Sequence, residues 1–353
     1  MQLLLKLLSN PEFAASYDVE QWDEIIRLAR HTHLVGHLYF LMERHSFLKK
    51  IPSRVKDILL GGHIYNHYFR LQACREMRHI GKQFKQHNIP IVLLKGGAYI
   101  KAKIGVYAGR RLSDIDLLVA KSNLAAAEAV FYKGGWQYGE VSDYDQHYYR
   151  DWMHEVPPLK HYKRSMEVDL HHNIVAPVSR IKLDAAKLLE KAVPIENSPF
   201  FILEAKDLLL HSATHLFFND ELRGGLRDLV DMHELCIQFS ERQDFWPQLV
   251  ARARELGLQR PLYYALSNLH CLLKTPIPDS VLADSAKDRP IYPVDRLMKY
   301  LIQRLIAPKN VEKMAAPISE WLLFVRSHWI RMPLPMLIKH LSYKFHYNIK
   351  KIK

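Results

Sequence analysis

Two acidic side chains on one predicted strand are the strongest candidates for a chemical role. Asp114 and Asp116 flank Ile115 at the start of an apolar run that continues to Val119. A strand places residues i and i+2 on the same face, so the two carboxylates point together while Ile115 points into the core. Two like charges held this close repel each other unless a cation lies between them, and hard oxygen ligands suit Mg²⁺. The pair therefore predicts a divalent-metal site.

A third carboxylate lies on a second predicted strand, over residues 166–171. An Asp-x-Asp pair arises often by chance, so this second strand matters. Asp169 stands between Val168 and Leu170, which places it on the face opposite the core side. If the two strands are neighbours, Asp114, Asp116 and Asp169 form a three-carboxylate cluster. Such a cluster can hold two divalent ions and stabilise both the attacking and the leaving oxygen of a phosphoryl displacement.

A glycine turn precedes the aspartate strand by one helix. Lys95-Gly96-Gly97 follows the apolar run 89–94, which has the character of a buried strand, and leads into the helix-compatible segment 98–102. Exposed backbone amides at a helix N-terminus form a phosphate site, and the missing Cβ atoms let an anion approach closely. Paired glycines also occur at 61–62, 134–135 and 224–225. The position of this turn in the chain is therefore what makes it informative.

Other candidate residues are open to two interpretations. His211 and His215 stand four apart on a predicted helix, which is metal-ligand spacing, but no further ligand follows, and chance pairs are expected among 20 histidines. Arg227 and Asp228 could line a cleft, although a solvated helix face with local ion pairs is the favoured interpretation. His171 shares the predicted face of Asp169 and is a better functional candidate than its neighbour at 172.

The remaining composition excludes several classes of protein. Three widely spaced cysteines exclude a disulfide framework and a four-thiolate metal site, which favours a cytoplasmic setting. There is no Gly-x-Ser-x-Gly motif, and the Rossmann and P-loop fingerprints are absent. No uncharged run reaches the roughly 18 residues that cross a bilayer, and Lys6 interrupts the apolar start of the chain without a cleavage site after it. We expect a soluble protein without a transmembrane segment.

The pattern along the 353 residues predicts an α+β fold in three regions. Residues 1–88 form an N-terminal helical region, with an apolar stripe from Val55 to Phe84 that includes Tyr65 and should bury one helix face. Residues 89–178 form a small mixed-sheet α/β domain, with strands near 89–94, 114–119, 146–150 and 166–171 and a helix over 122–133. Residues 179–353 form a C-terminal helical domain with helices near 204–239, 244–256, 261–273, 293–306 and 317–331.

The C-terminal end is strongly basic. The net charge of the chain is +13, and residues from Trp321 to Lys353 include seven Lys or Arg and no Asp or Glu. Interleaved aromatic residues make this tail a candidate surface for polyphosphate, nucleic acid or anionic lipid. A basic, solvated helical terminus is the alternative interpretation.

The glycine turn and the two aspartate strands, taken in their order along the chain, resemble the motifs of a known protein family. A Gly-Gly turn, then Arg110, Asp114 and Asp116, then Asp169 on a later strand resembles the nucleotidyltransferase fold of the DNA polymerase beta superfamily. The segments 94–97, 114–119 and 168–171 more closely resemble a bacterial group of uncharacterised nucleotidyltransferases, and the resemblance of the motifs covers about residues 89–175.

The resemblance implies transfer of a nucleoside monophosphate from an NTP to a small-molecule, peptide or protein acceptor, with release of pyrophosphate. It makes Asp114, Asp116 and Asp169 the catalytic carboxylates and the ligands of Mg²⁺ or Mn²⁺, with Asp169 also helping to deprotonate the attacking hydroxyl. Backbone amides at Gly96 and Gly97 would hold the terminal phosphates. Lys95 and Arg110 would be charge partners of those phosphates.

One departure from the family pattern leaves other functions open. Many superfamily members carry serine after the first glycine of the turn, whereas this chain has Gly97 and so lacks a hydroxyl that would touch phosphate. A non-catalytic nucleotide-binding protein with the same fold is therefore a second hypothesis. A third hypothesis is an RNA-directed enzyme or RNA-binding protein that contacts RNA through the basic tail.

Overall fold

The computed structural model describes residues 1–105, 107–139, 142–218, 222–308, 316–339 and 342–343. Helices surround a seven-stranded mixed sheet, which confirms the predicted α+β class. The helices are α1 (Gln2–Ser9), α2 (Val19–His31), α3 (Val35–Arg44), α4 (Ser53–Gln86), α5 (Lys95–Ala102), α6 (Leu124–Lys133), α7 (Asp143–His147), α8 (Ala186–Leu189), α9 (Ala205–Phe218), α10 (Leu226–Phe239), α11 (Phe245–Glu255), α12 (Gln259–Leu273), α13 (Asp279–Ser285), α14 (Tyr292–Ile306) and α15 (Pro317–Arg331). The strands are β1 (Ile91–Leu93), β2 (Asp114–Leu118), β3 (Trp136–Tyr138), β4 (Leu159–His161), β5 (Glu167–His171), β6 (Val193–Pro194) and β7 (Phe200–Ile202).

The sheet has the order β3-β4-β5-β2-β1-β7-β6, so β2 and β5 lie next to each other near its centre. These two strands pair in parallel. Both alternate as their sequences predict, because Ile115 and Val168 are fully buried on one face while Asp114 and Asp169 on the other face are partly exposed. β7 pairs with β1 in parallel, so the sheet extends beyond residue 178. The division into three domains stays a prediction.

The predicted strand at 146–150 is wrong, because this segment is helical. It contains the end of α7 and a single π-helical turn over Tyr148–Trp152. The Ser142 side chain caps α7 by accepting a hydrogen bond from the backbone N–H of Asp145 at 3.1 Å, and such a cap starts a helix. Consecutive tyrosines favour strands by propensity, but the local hydrogen bonds of the cap and the helical turns prevail here.

Helix α4 follows its predicted apolar stripe at both ends and departs from it in the middle. Val55, Leu59 and Phe84 are buried. Tyr65, however, is 49% exposed, and the adjacent Asn66 is buried instead, where its Nδ2 donates to the carbonyl of Gly109 at 2.8 Å. The prediction that Tyr65 lies on the buried face is therefore wrong, because a polar contact to the loop before β2 occupies the buried position.

The C-terminal helices agree with prediction except at three points. The segment predicted as a helix near 204–239 is two helices, α9 and α10, and Gly224 between them has a left-handed φ of +80°. Helices α8 and α13 were not predicted. Among the described residues, no helix combines the length and the apolar character that crossing a membrane requires.

A single buried apolar cluster joins all three predicted regions. It contains Trp22 of α2, Phe84 of α4, Phe131 of α6, Phe200 of β7 and Leu266 of α12. The rings of Phe84 and Phe131 meet edge to face with centroids 5.1 Å apart. The sheet is therefore supported by helices from both ends of the chain.

Candidate functional site

The predicted carboxylates lie on one face of the sheet. In the parallel register of β2 and β5, Asp116 pairs with Asp169 and Asp114 pairs with Glu167. Residues paired in register point to the same face, so Asp114, Asp116 and Asp169 share it. Within the described chain, the oxygens of these three carboxylates do not all approach within 4.8 Å of one another. Enclosing one shared ion would therefore require rotation of their side chains.

Lys95 brings the glycine turn to this face. The backbone N–H of Leu94 donates to the carbonyl of Asp116 at 3.0 Å, and Lys95 Nζ donates to Asp116 Oδ1 at 2.8 Å. Burial favours neutral Lys95, but the Asp116 carboxylate raises the pKa of Lys95 above its ordinary value. Lys95 also has a left-handed φ of +41°. Such backbone strain is uncommon outside glycine and concentrates at functional sites.

The two glycines of the turn have different surroundings. A Cβ on Gly96 would lie 2.3 Å from Arg110 Nη1 and 2.4 Å from Leu112 Cδ1, so glycine at this position makes room for Arg110. A Cβ on Gly97 would face Leu93 Cδ2 at 3.2 Å and Met77 Sδ at 3.7 Å. A serine side chain at 97 would thus start towards the apolar core. Neither glycine lines the cleft described below, and their binding of phosphate stays a prediction.

Arg110 lies at the cleft and is held there by a buried ion pair. Its Nε donates to Asp231 Oδ2 at 2.6 Å, and the two side chains are 8% and 5% exposed. The guanidinium also lies over the ring of Tyr99, with 5.7 Å between its carbon and the ring centroid. Asp231, on α10, was not predicted as a site residue. Its contact couples the loop before β2 to the C-terminal helices.

His171 connects two carboxylates. Its Nε2 lies 3.2 Å from Asp116 Oδ1, and its Nδ1 lies 3.3 Å from Glu155 Oε2. Burial lowers the pKa of His171, but its hydrogen bond to Asp116 and the charge of Glu155 raise it above the ordinary value. Glu155 was missed because it lies in a loop whose sequence has no periodicity. It reaches the site through an isolated antiparallel bridge to His171.

The two central aspartates have opposite titration behaviour. Burial raises the pKa of Asp116, but Lys95 and His171 outweigh it and hold the pKa well below its ordinary value. Burial raises the pKa of Asp169 to about 7, and the charges of Asp116 and Glu155 add to this rise. Within the described chain, no lysine, arginine or histidine forms an ion pair with Asp169. Asp116 is therefore a permanent anion, while Asp169 can exchange a proton near neutral pH.

These residues form one wall of a cleft of about 640 Å³. A volume in this range accommodates a ligand of nucleotide size. The lining residues come from the sheet, the segment after α7, and the C-terminal helices: Lys95, Arg110, Ser113, Asp114, Asp116, Tyr149, Met153, His154, Glu155, Asp169, His171, His215, Arg227, Asp228 and Arg331.

Basic residues of the C-terminal region also line the cleft. Arg227 and Asp228 of α10 are lining residues, and they form a local ion pair at 3.3 Å with 28% and 23% of their side chains exposed. The pair therefore has the local ion pair of the favoured interpretation and the position of the alternative one. Arg331, at the end of α15, also lines the cleft and was noted only as part of the basic tail. The lining thus combines cationic groups with the carboxylates.

His211 and His215 do not form a metal site of their own among the described residues, and His215 also lines the cleft. Both line a small, largely apolar cavity of about 30 Å³, and their ring centroids are 6.5 Å apart. Burial lowers the pKa of His211 to about 3 and that of His215 well below its ordinary value. Both rings are therefore neutral, and neither belongs to a group of three potential ligands within 4.8 Å among the described residues.

The donor set on the sheet face fits a hard divalent cation. Asp114, Asp116 and Asp169 offer carboxylate oxygens, which Mg²⁺ and Mn²⁺ prefer over nitrogen or sulfur. Asp169 is largely buried and surrounded by the like charges of Asp116 and Glu155. A bound cation would relieve this repulsion.

Comparison with known proteins identifies the family of the chain. No curated protein matches this sequence. The sequence model of a family described as uncharacterised nucleotidyltransferase matches residues 18–274, which include α2 to α12 and the whole sheet. Most of the chain is covered by this match, and the protein therefore belongs to this nucleotidyltransferase family.

Proposed function

We propose that this protein transfers a nucleoside monophosphate from an NTP to an acceptor hydroxyl by metal-dependent chemistry. The observation that carries the proposal is the pairing of Asp116 with Asp169 on adjacent parallel strands, beside Lys95 and inside a 640 Å³ cleft. The cleft supplies both the oxygen ligands and the cations that a triphosphate requires. The acceptor is a small molecule, a peptide or a protein.

The side chains that line the cleft would have different roles. Asp114, Asp116 and Asp169 would hold Mg²⁺ or Mn²⁺, which would neutralise the triphosphate and polarise the reacting phosphoryl group. Lys95 balances the charge of Asp116 through its 2.8 Å contact, and as a lining residue it would be a charge partner of the phosphates. Arg227 and Arg331, which also line the cleft, would provide further charge for the phosphates. Arg110 keeps the turn in position through Asp231.

Asp169 is the residue proposed to accept the proton of the attacking hydroxyl. It pairs in register with Asp116 and lines the cleft, which places its carboxylate beside the proposed metal site. In the proposed step, the hydroxyl oxygen bonds to the α-phosphorus, and the bond from that phosphorus to its bridging oxygen breaks. The hydroxyl proton passes to Asp169, and pyrophosphate leaves with the electron pair of the broken bond.

The test is a screen of the four NTPs with Mg²⁺ and Mn²⁺ for release of pyrophosphate and for mass gain of candidate acceptors, including the protein itself. Asp116→Asn and Asp169→Asn are expected to lower the rate by about 100-fold or more, since each removes charge stabilisation of the transition state. Glu167→Gln is the matched control. Glu167 shares the carboxylate face but is 43% exposed and contacts Lys160 rather than the cleft.

Two outcomes would support other functions. Calorimetry that shows NTP binding without any product would favour the non-catalytic nucleotide-binding protein. The observation that favours this function is that Lys95 and His171 already contact Asp116 Oδ1, the oxygen that a metal ion would use. RNA binding that weakens steeply with salt would favour the RNA-directed enzyme. Much of the basic tail, including Lys344 and Lys350 to Lys353, lies outside the described residues.

A further inference from the structure

A second group of potential metal ligands lies beside the carboxylate face. One ligand atom each from His154, Glu155 and His171 lies within 4.8 Å of the other two. All three residues line the cleft, so an ion can reach them from solvent. The set contains two imidazole nitrogens and one carboxylate oxygen, whereas the three aspartates offer oxygen alone. The two groups therefore suit different metals.

The backbone holds these ligands in fixed positions. Glu155 and His171 face each other across an antiparallel bridge. Two hydrogen bonds flank this bridge, from the N–H of Val156 to the carbonyl of Leu170 at 3.0 Å and from the N–H of His172 to the carbonyl of His154 at 2.8 Å. A site built on paired backbone segments is more precise than a site on an isolated loop.

The hydrogen bonding of His171 resembles that of a metal ligand. Its Nε2 is hydrogen-bonded to Asp116 Oδ1, and its Nδ1 lies 3.3 Å from Glu155 Oε2. Nδ1 is buried and has no hydrogen-bond partner in the described part of the chain, and the same holds for Nδ1 of His154. Metal-bound histidines commonly donate their other ring N–H to a carboxylate, which fixes the tautomer and the ring orientation. Asp116 is placed to do this for His171.

The distances are close to those that a bound ion requires. Zinc–ligand bonds of about 2.0–2.1 Å in a tetrahedron place the ligand atoms roughly 3.4 Å apart. His171 Nδ1 and Glu155 Oε2 are already 3.3 Å apart. The ring of His154 stacks near that of His171, with centroids 5.5 Å apart and planes inclined by 27°. A small rotation of the His154 side chain would complete the set.

We infer that His154, Glu155 and His171 form a second metal site that takes a transition-metal ion of the Zn²⁺ type. Three protein ligands leave a fourth position open for a water or substrate molecule, and all three residues line the cleft. The site does not depend on the proposed transfer reaction. It adjoins the carboxylates of that proposal, because Asp116 contacts His171 from the other side of the ring and the charge of Glu155 acts on Asp169.

Metal binding to the full chain tests the inference directly. The metal-stripped protein is titrated with Zn²⁺ by calorimetry, and Co²⁺ is used as a spectroscopic probe of its visible absorption. We expect one ion per chain. His154→Ala and Glu155→Gln should each weaken binding by more than the roughly 10–100-fold that loss of an outer-shell partner causes, and should remove the Co²⁺ bands.

Two control variants separate this site from its alternatives. Asp169→Asn removes a proposed Mg²⁺ ligand and should leave Zn²⁺ binding and the Co²⁺ bands in place. His147→Ala removes an exposed histidine paired with Asp151 and reports adventitious surface binding. Circular dichroism of the metal-free variants checks the fold, and Glu155, whose side chain is 26% exposed, carries the test if His154→Ala is unstable.

The inference is overturned if the wild-type chain binds no Zn²⁺, or if binding is unchanged in both His154→Ala and Glu155→Gln. Loss of binding in His147→Ala alone would also overturn it. Pyrophosphate release in the Zn²⁺-free protein with Mg²⁺ would leave the proposed transferase function intact in each of these cases. The two proposals can therefore fail separately.

Discussion

A single oxygen, Oδ1 of Asp116, is contacted by a lysine and a histidine side chain. Lys95 contacts it from the turn before α5, and His171 contacts it from the neighbouring strand. Both contacts hold the pKa of Asp116 well below its ordinary value despite its burial. The charge of this carboxylate is therefore maintained without a metal ion.

The position of Gly97 yields a prediction about the turn. Its Cβ direction faces Leu93 and Met77, so Gly97→Ser should place the added hydroxyl against apolar side chains. We expect the KM for NTP to stay within about twofold, while the free energy of unfolding falls by about 1–3 kcal/mol for a poorly partnered hydroxyl. Steady-state kinetics and urea unfolding measure the two effects. A KM lowered tenfold would show that the hydroxyl does reach the phosphate.

A buried histidine distant from the carboxylates predicts sensitivity to acid. Burial lowers the pKa of His37 to about 4, while an unfolded histidine titrates near 6.5. Between these values the unfolded chain binds a proton that the folded chain does not, so the stability present above pH 6.5 is lost as the pH falls towards 4. The loss due to His37 is on the order of 1 kcal/mol per pH unit.

His37→Phe keeps a ring of similar size at this position and removes its titration. Urea unfolding at pH 5 and pH 7 should show a smaller difference for His37→Phe than for the wild-type chain. Part of the difference should remain, because burial also lowers the pKa of His172 to about 4. An unchanged pH dependence would contradict the assignment of this share to His37.

Between elements, a buried ion pair fixes α9 to α11. Arg252 Nε and Nη2 donate to the two carboxylate oxygens of Asp207 at 2.9 and 2.8 Å, and Asp207 is fully buried. Asp207→Ala leaves the guanidinium buried with one partner fewer, which should lower the free energy of unfolding by about 3–5 kcal/mol. Denaturant unfolding provides the measurement.

The control for this pair is an exposed one on α2. Asp23 and Arg27 are 3.1 Å apart with more than half of each side chain exposed, so Asp23→Ala should cost no more than about 1 kcal/mol. If Asp207→Ala and Asp23→Ala lower the free energy of unfolding by similar amounts, burial does not make the Asp207–Arg252 pair more important for stability.

Elements with long or strict periodicity could be predicted from the sequence. The buried ends of α4 and the alternation in β2 and β5 follow directly from apolar spacing, and so does the shared face of Asp116 and Asp169. Strands β3, β4 and β7 have only three residues each, too few to establish a period. Their formation depends on pairing with distant strands, and no local pattern encodes that pairing.

The site could be predicted only in part, for a related reason. The candidate residues on strands could be identified from the sequence, because the pleat of a strand dictates which face each side chain points to. Glu155 reaches the site through a backbone bridge to His171, and Asp231 reaches it through its contact with Arg110. Each contact joins two separate segments of the chain. The spacing of residues within one segment cannot predict which other segment it will contact.

At the scale of the molecule, the sheet depends on helices from both ends of the chain. Trp22, Phe131, Phe200 and Leu266 belong to one buried cluster. A fragment of residues 89–178 should therefore lack cooperative unfolding, because it loses β7 and the packing of α4 and α9. Circular dichroism during urea unfolding, compared with the full chain, tests this. A cooperative transition would instead support the division into three independent domains.

The basic C-terminal region differs from a simple solvated helix. On α15, Ile318, Trp321, Val325 and Trp329 recur at helical spacing and are 75%, 62%, 44% and 48% exposed. The helix predicted near 317–331 is thus present, but its outer face is apolar and aromatic. Binding of nucleic acid, polyphosphate or lipid by the tail stays a prediction.

Arg331 makes the cleft depend on residues beyond the segment that the family model matches. That match ends at residue 274, yet Arg331 lines the cleft. A chain truncated after residue 274 would therefore keep every strand carboxylate and lose this cationic group from the lining.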